Sequence, residues 1–174
     1  MQLNFSYPAE NQQGWRGWGL TPERREFSPD AALRLIDAAR QASSKAYAPY
    51  SGFQVGAALV MADDPERRTF VGANVENASY GAAICAERTA LVTAAAQGLR
   101  ALLWLAVVAP AARAEPLAER MPCGICRQVI EEFASAQSTL IFIGGATPAL
   151  GVDVFTLDAV LPHGFRFDAS TKSE

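Results

Sequence analysis

The chain has 174 residues, a formal net charge of −3 and hydrophobic side chains at 50% of its positions. This length suits one domain and is too short for two ordinary ones. The acidic balance disfavours nucleic-acid binding, which needs clustered Lys and Arg. The longest apolar stretch, residues 101–112, is broken by Pro110 and falls short of the roughly 18 residues of a membrane span. No secretory signal is visible, so we expect a cytoplasmic protein that binds neither nucleic acid nor membrane.

Residues 1–28 are predicted to form an N-terminal extension without a readable motif. Residues 14–19 place Trp15 and Trp18 among glycines, which favours neither helix nor strand. The two indoles need apolar cover, on this subunit or on a neighbour. We therefore expect them to cover part of a subunit interface.

A helix and a hairpin are predicted next. Ser28 and Pro29 are typical of a helix start, because serine caps the first turn and proline suits the first helical position. The helix should end before Pro49. Its expected apolar stripe is Ala32, Leu33, Ile36 and Ala39. Residues 54–61 and 69–75 then predict two antiparallel strands around a turn.

The second half of the chain alternates predicted helices and strands. The helices are residues 85–97, ended by Gly98 in a left-handed conformation, and residues 122–134. The strands are residues 102–109, 139–144 and 152–155. This order predicts an α/β sandwich with one sheet covered by helices, in a single domain over residues 29–174.

The cysteines carry the functional signal. There are three, Cys85, Cys123 and Cys126, and an odd number without an export signal disfavours disulfides. Cys123 and Cys126 lie on one face of a first helical turn, where the positive end of the helix dipole favours thiolates. Cys85 opens another predicted helix. Three sulfur ligands suit zinc and leave one coordination position for water, whose proton Glu87 could accept.

Each of these features has a simpler interpretation. A Cys-x-x-Cys pair alone is also typical of a redox pair or a structural zinc clip, and Glu87 alone could be a solvated helix glutamate.

The motifs together resemble the zinc nucleoside deaminases, and in particular cytidine deaminase. The first is Cys-Ala-Glu at residues 85–87, followed by Pro-Cys-Gly-Ile-Cys at residues 122–126. Residues 47–53, 55–58, 74–80, 85–90 and 123–128 extend the similarity. The resemblance covers residues 30–167 in the expected order and leaves out the first 28 residues.

The resemblance implies a three-layer α/β/α sandwich with a central mixed sheet and one Zn²⁺ per subunit. It also implies a cytosine nucleoside substrate and a homotetramer with active sites near subunit interfaces. The implied zinc ligands are Cys85, Cys123 and Cys126. Glu87 is the implied proton carrier, and Arg88 the arginine that hydrogen-bonds ligand sulfurs, with Arg127 a weaker candidate. The implied substrate-binding residues are Phe53, Asn74, Glu76, Tyr80, Ala86 and Phe165. His163 is expected in a loop or interface.

Three alternatives stay open. One is a relative that deaminates blasticidin S or an amine-modified cytidine. Another is a polynucleotide editor, which the acidic charge disfavours. The last is a zinc fold that serves only for binding or assembly, against which the placement of Glu87 argues.

Overall fold

A computed structural model of the protein describes residues 2–3, 15–18, 27–113, 116–136, 138–147 and 151–167. These residues form strands and helices in alternation. The strands are β1 (Gln2–Leu3), β2 (Trp15–Trp18), β3 (Gly56–Met61), β4 (Thr69–Ala73), β5 (Leu102–Val108), β6 (Leu140–Gly144) and β7 (Val152–Thr156). The helices are α1 (Pro29–Ser43), α2 (Ala86–Ala95), α3 (Gly124–Phe133) and α4 (Leu157–Val160).

The strands join one mixed sheet in the order β1-β2-β7-β6-β5-β3-β4. The pairs β5–β6 and β2–β7 are parallel, and the other neighbouring pairs are antiparallel. One buried cluster joins α1 to one face of the sheet, and a second joins α2, α3 and α4 to the other face. This three-layer α/β/α sandwich confirms the predicted fold class.

The predicted elements after residue 28 are confirmed to within a few residues. The Ser28 hydroxyl accepts a hydrogen bond from the Ala31 N–H at 3.3 Å, as an N-cap does. Gly98, beyond the end of α2, has a φ of +88°. The stripe predicted for α1 is wrong at Leu33, which is 37% exposed. Leu35 is buried in its place, because it lies one turn from Ala32 on the same face of the helix.

The expectation that residues 14–19 form neither helix nor strand is wrong. Trp15–Trp18 form β2, which pairs with β7 from Trp15 opposite Val152 to Trp18 opposite Phe155. The free edge of β7 supplies backbone partners that the local sequence does not reveal, and such tertiary pairing overrides weak strand propensity.

The two indoles find apolar cover within this chain. The centroid of the Trp15 ring lies 5.5 Å from that of Phe27 and 6.3 Å from that of Phe142. Trp18 stacks on Phe155 with ring centroids 5.5 Å apart. Because β2 presents its side chains alternately, Trp15 joins the core beneath α1 and Trp18 packs against the opposite core. The reason for expecting them at a subunit interface is therefore removed.

Two glycines let the helices approach the β3–β4 hairpin closely from opposite faces. A Cβ at Gly56 would lie 2.5 Å from the Ser43 backbone nitrogen of α1. A Cβ at Gly72 would lie 2.5 Å from the Ala90 backbone nitrogen of α2. Both neighbours are backbone atoms that cannot rotate away. Because glycine has no Cβ, these two positions allow α1 and α2 to pack this closely against the sheet.

None of the helices in the described part of the chain has the length and apolar character of a membrane span.

We predict that Gly72→Ala lowers the free energy of unfolding by about 1–3 kcal/mol, because α2 must move away from β4. Gly81→Ala is the matched control, since a Cβ at Gly81 would meet no atom within 4 Å. The measurement is denaturant unfolding of both variants. Equal stability of the two would contradict the close approach of α2 as the cause.

Candidate metal centre and adjoining cavity

The three cysteines meet at the N-terminal ends of two neighbouring helices. Cys85 is the N-cap of α2, Cys123 is the N-cap of α3, and Cys126 lies in the first turn of α3. Their sulfur atoms all lie within 4.8 Å of one another, and the Cys85 and Cys123 sulfurs are 3.9 Å apart. Residues 38 positions apart in sequence are thus brought to a single point, as the prediction of two helix starts at the cysteines implies.

The surroundings of these sulfurs favour negative charge at Cys85 and disfavour it at Cys126. The pKa of the Cys85 thiol is lowered to about 5, first by a hydrogen bond with Cys126 and then by the Arg88 guanidinium. The pKa of Cys126 is raised by its hydrogen bond with Cys85 and by burial. Cys85 therefore ionises readily in this cluster, and a thiolate is the form that binds metal.

Arg88 lies beside the sulfur cluster, as predicted. Its Nη2 donates to the Ala83 carbonyl at 2.9 Å and lies 4.0 Å from the Cys85 sulfur. Its Nε is buried and has no hydrogen-bond partner among the described residues. Three sulfur donors beside a cation fit a zinc ion. Three thiolates around Zn²⁺ leave one net negative charge, and the Arg88 guanidinium offsets that charge.

Arg127 points elsewhere. Its Nε donates to the Pro122 carbonyl at 2.7 Å and its Nη1 to the Val160 carbonyl at 3.2 Å. Arg127 therefore ties the start of α3 to the end of α4. These bonds are to backbone carbonyls and not to the sulfurs.

Glu87 lies in the first turn of α2 and is only 4% exposed. Burial, together with the negative charge of Cys85, raises the pKa of its carboxyl to about 7. A carboxyl with a pKa near neutrality can both take up and release a proton at physiological pH. The same residue lines the cavity beside the cysteines.

A cavity of about 250 Å³ opens beside Cys85, Glu87 and Cys123. Three predicted substrate-binding residues also line it: Phe53, Asn74 and Glu76. The sequence analysis missed its other lining residues, which are Ser51, Val55, Val107, Ala109, Glu119, Arg120 and Met121. Residues 119–121 directly precede the Pro-Cys motif, and this proximity in sequence was the available signal for them.

Asn74 and Glu76 lie on one wall of the cavity and shape it. The Asn74 side-chain oxygen accepts from the Val55 N–H at 2.8 Å, and its nitrogen donates to the Phe53 carbonyl at 2.9 Å. Asn74 thus holds the loop that carries Phe53. One amide hydrogen and one carbonyl lone pair of Asn74 are left for a ligand.

The Glu76 carboxylate accepts hydrogen bonds from the Ser51 hydroxyl and from the N–H groups of Tyr50 and Ser51. These donors lower the pKa of Glu76, the Ser51 hydroxyl most strongly. The carboxylate therefore stays ionised and acts as an acceptor.

The remaining predicted substrate-binding residues do not line this cavity. Tyr80 is 83% exposed and borders a neighbouring depression of about 280 Å³ that also includes Glu76. Phe165 is 71% exposed, and its backbone N–H and carbonyl pair with the Gln128 side chain of α3. Ala86 is fully buried at the start of α2. His163 is exposed, near the end of the described chain.

Comparisons with known proteins agree on one family. The family model described as "Cytidine and deoxycytidylate deaminase zinc-binding region" matches residues 30–142, more than half of the chain. A cytidine deaminase of Halalkalibacterium halodurans is 46% identical over 131 residues, which cover 75% of this chain and 91% of that protein. A Mycobacterium tuberculosis cytidine deaminase is 41% identical over 110 residues, which cover 63% of this chain and 77% of that protein.

Solved structures give the same result. The crystal structure of cytidine deaminase from Burkholderia pseudomallei matches with a TM-score of 0.66 and 41% identity, and covers 80% of this chain and 100% of that one. Cytidine deaminase from Mycobacterium tuberculosis matches with a TM-score of 0.61 and 35% identity, and covers 78% of this chain and 98% of that one.

We predict that Cys85→Ala loses most of the bound zinc, because two sulfurs hold the ion far less tightly than three. Elemental analysis of the purified protein measures this loss. Thr93→Ala, also on α2, is the control, since its exposed hydroxyl donates to the Thr89 carbonyl of the same helix. Full zinc occupancy in Cys85→Ala would contradict the role of Cys85 as a ligand.

Proposed function

Because the chain belongs to the cytidine and deoxycytidylate deaminase family, we propose that it hydrolyses cytidine and deoxycytidine to uridine and deoxyuridine with release of ammonia. The reaction serves pyrimidine salvage. The observation that carries the proposal is the buried Glu87 carboxyl, which shares one cavity with Cys85 and Cys123. The catalytic domain is assigned to residues 29–174.

Cys85, Cys123 and Cys126 hold one zinc ion per chain. When bound, the ion supplies Lewis-acid activation of a water molecule. Arg88 offsets the negative charge that three thiolates place around the site, because its guanidinium lies 4.0 Å from the Cys85 sulfur. Without that cation, the excess negative charge would make the water harder to deprotonate.

Glu87 moves the protons. The water oxygen forms a bond to the ring carbon that bears the amine, while Glu87 accepts the water proton and delivers it to the adjacent ring nitrogen. The bond from the same carbon to the amine nitrogen then breaks. Glu87 transfers the second water proton to the departing amine, which leaves as ammonia. A carboxyl with a pKa of about 7 suits both the uptake and the release.

The sugar and the base are held by Glu76, Asn74 and Phe53, which line the same cavity as Glu87. The Glu76 carboxylate and the free amide hydrogen of Asn74 bind the sugar hydroxyls, since both side chains line the cavity and retain hydrogen-bonding capacity. Phe53 packs beside the pyrimidine ring. Ala86 is included on the resemblance alone, since the whole residue is buried and does not line the cavity.

Tyr80 and Phe165 complete the site in a homotetramer. Both are large apolar side chains with more than two thirds of their surface exposed. Burying such rings between subunits is favourable, and it would place them at the active site of a neighbouring copy. The enzyme works in the cytoplasm, where a reducing environment keeps its three cysteines available for metal.

The wild-type protein is expected to convert cytidine to uridine and release one ammonia per turnover, because the cavity joins the proton carrier to sugar-binding groups. Chromatography of the products and an ammonia assay measure this. Blasticidin S, which lacks an ordinary ribose, is the comparison compound and is expected to turn over more slowly. Release of ammonia from blasticidin S but not from cytidine would overturn the substrate assignment.

Glu87→Gln is expected to lower kcat by about 10²- to 10⁴-fold, because an amide cannot carry the proton. Zinc content should equal that of the wild type, since the ligands are unchanged. Glu132→Gln, at an exposed position of α3, is the control and should keep its activity. A wild-type rate in Glu87→Gln would remove Glu87 from the mechanism.

A further inference from the structure

The buried carboxylate of Asp153 joins the N-terminal strand to the wall of the nucleoside cavity. Asp153 lies on β7 and is 1% exposed. Arg16 of β2 approaches it with two nitrogens, Nε at 2.6 Å from Oδ1 and Nη2 at 2.9 Å from Oδ2. Trp18 of the same strand donates its indole N–H to Oδ1 at 3.3 Å. Two side chains of the N-terminal strand therefore converge on this one carboxylate.

The other donor comes from the cavity wall. Arg120 is buried, and its Nη2 donates to Oδ2 of Asp153 at 3.0 Å. Arg120 itself lines the cavity, between Glu119 and Met121, which line it too. It also stands three residues before Cys123. The Asp153 carboxylate is therefore shared between the N-terminal strand and the segment that leads into the metal-binding helix.

Strand register places Arg16, Asp153 and Val107 in one row across the sheet. Arg16 pairs with Asp153, Asp153 with Ile143, and Ile143 with Val107, which lies in the cavity lining. Directly paired residues present their side chains to the same face. With neighbouring strands about 4.8 Å apart, Asp153 lies about 10 Å from Val107 across the sheet. Arg120 contacts Asp153 and lines the same cavity as Val107.

The charges explain why Arg16 matters to Arg120. A buried carboxylate with two guanidiniums is oriented by both, and a two-pronged Arg contact fixes the carboxylate plane. Removal of Arg16 leaves the Trp18 indole and Arg120 as donors to the Asp153 carboxylate. The two-pronged contact that fixes the plane of the carboxylate is then lost, so its bond to Arg120 is less well directed. Arg16 and Asp153 both lie outside residues 30–142, which match the family model.

We propose that Arg16 and Asp153 are positioning residues that hold Arg120 and the segment 119–121 in the wall of the nucleoside cavity. The N-terminal strand β2 then helps to shape the substrate site. This inference rests on the proposed function for its effect on catalysis, but its structural part can be measured without turnover.

The test compares two arginines in matched ion pairs. Arg16 is 37% exposed beside a carboxylate that is 1% exposed, and Arg68 is 47% exposed beside Asp64, which is 2% exposed. Arg68 lies outside the residues that line the cavity. In Arg16→Ala, we expect faster amide hydrogen exchange in peptides covering residues 117–121, and in Arg68→Ala an unchanged rate there. Unchanged exchange in Arg16→Ala would overturn the proposal, as would equal acceleration in both variants.

Steady-state kinetics of the zinc-loaded enzyme separate positioning from mere stability. Arg16→Ala is expected to raise KM for cytidine about fivefold, with kcat within about twofold and zinc content unchanged. Arg68→Ala should leave all three at wild-type values. Altered exchange with an unchanged KM would overturn the role in substrate binding, and so would loss of zinc. Should the wild type release no ammonia from cytidine, the proposed function fails while hydrogen exchange still decides the connection between Arg16 and the wall.

A double-mutant cycle tests the route through Asp153. In an Asp153→Asn background, Arg16→Ala should change KM no further, because its partner has already lost its charge. A full additional fivefold effect in the double variant would overturn the route. If Asp153→Asn does not fold, the comparison of Arg16→Ala with Arg68→Ala decides the proposal.

Discussion

The convergence of two helix N-termini on one point is the constraint on which the site depends. Cys85 and Cys123 are the N-caps of α2 and α3, and Cys126 lies one turn further along α3. Sulfurs within 4.8 Å of one another repel when ionised. The N–H groups at the N-terminal ends of the two helices and the Arg88 guanidinium make that charge tolerable. The sheet must hold both helix ends in place, because a small separation would undo the cluster.

One row of paired residues across the sheet helps to position both helix ends. Gly72 lets α2 rest close above β4, while Val107 forms part of the cavity lining and Asp153 anchors Arg120 at the other end. Gly72, Ala57, Val107, Ile143 and Asp153 are successive register partners. The depth of α2, the shape of the cavity and the entry into α3 are thus set on the same row of the sheet.

Two of the three glutamates that line the cavity, Glu76 and Glu87, have opposite character because their surroundings differ. Glu87 is buried, which raises its pKa to about 7 and prepares it to exchange protons. Glu76 accepts hydrogen bonds from Ser51 and Tyr50, which lower its pKa and keep it an ionised acceptor. The two carboxyl groups are therefore distinguished by burial and by hydrogen-bond donors, and not by residue type, which suits them to the different roles proposed for them.

The amino-acid sequence by itself determined the helices and strands after residue 28 apart from the short helix α4, and it singled out the three clustered cysteines and Glu87, because caps, periodicity and cysteine spacing are local signals. It did not determine the strand Trp15–Trp18 or the burial of Leu35 in place of Leu33. Arg120 and Asp153 were also missed, since a buried ion pair between residues 33 positions apart leaves no local pattern. Such features arise only when strands pair and helices pack. Tertiary structure therefore decided which side chains surround the three cysteines, while the sequence decided which residues carry the sulfurs.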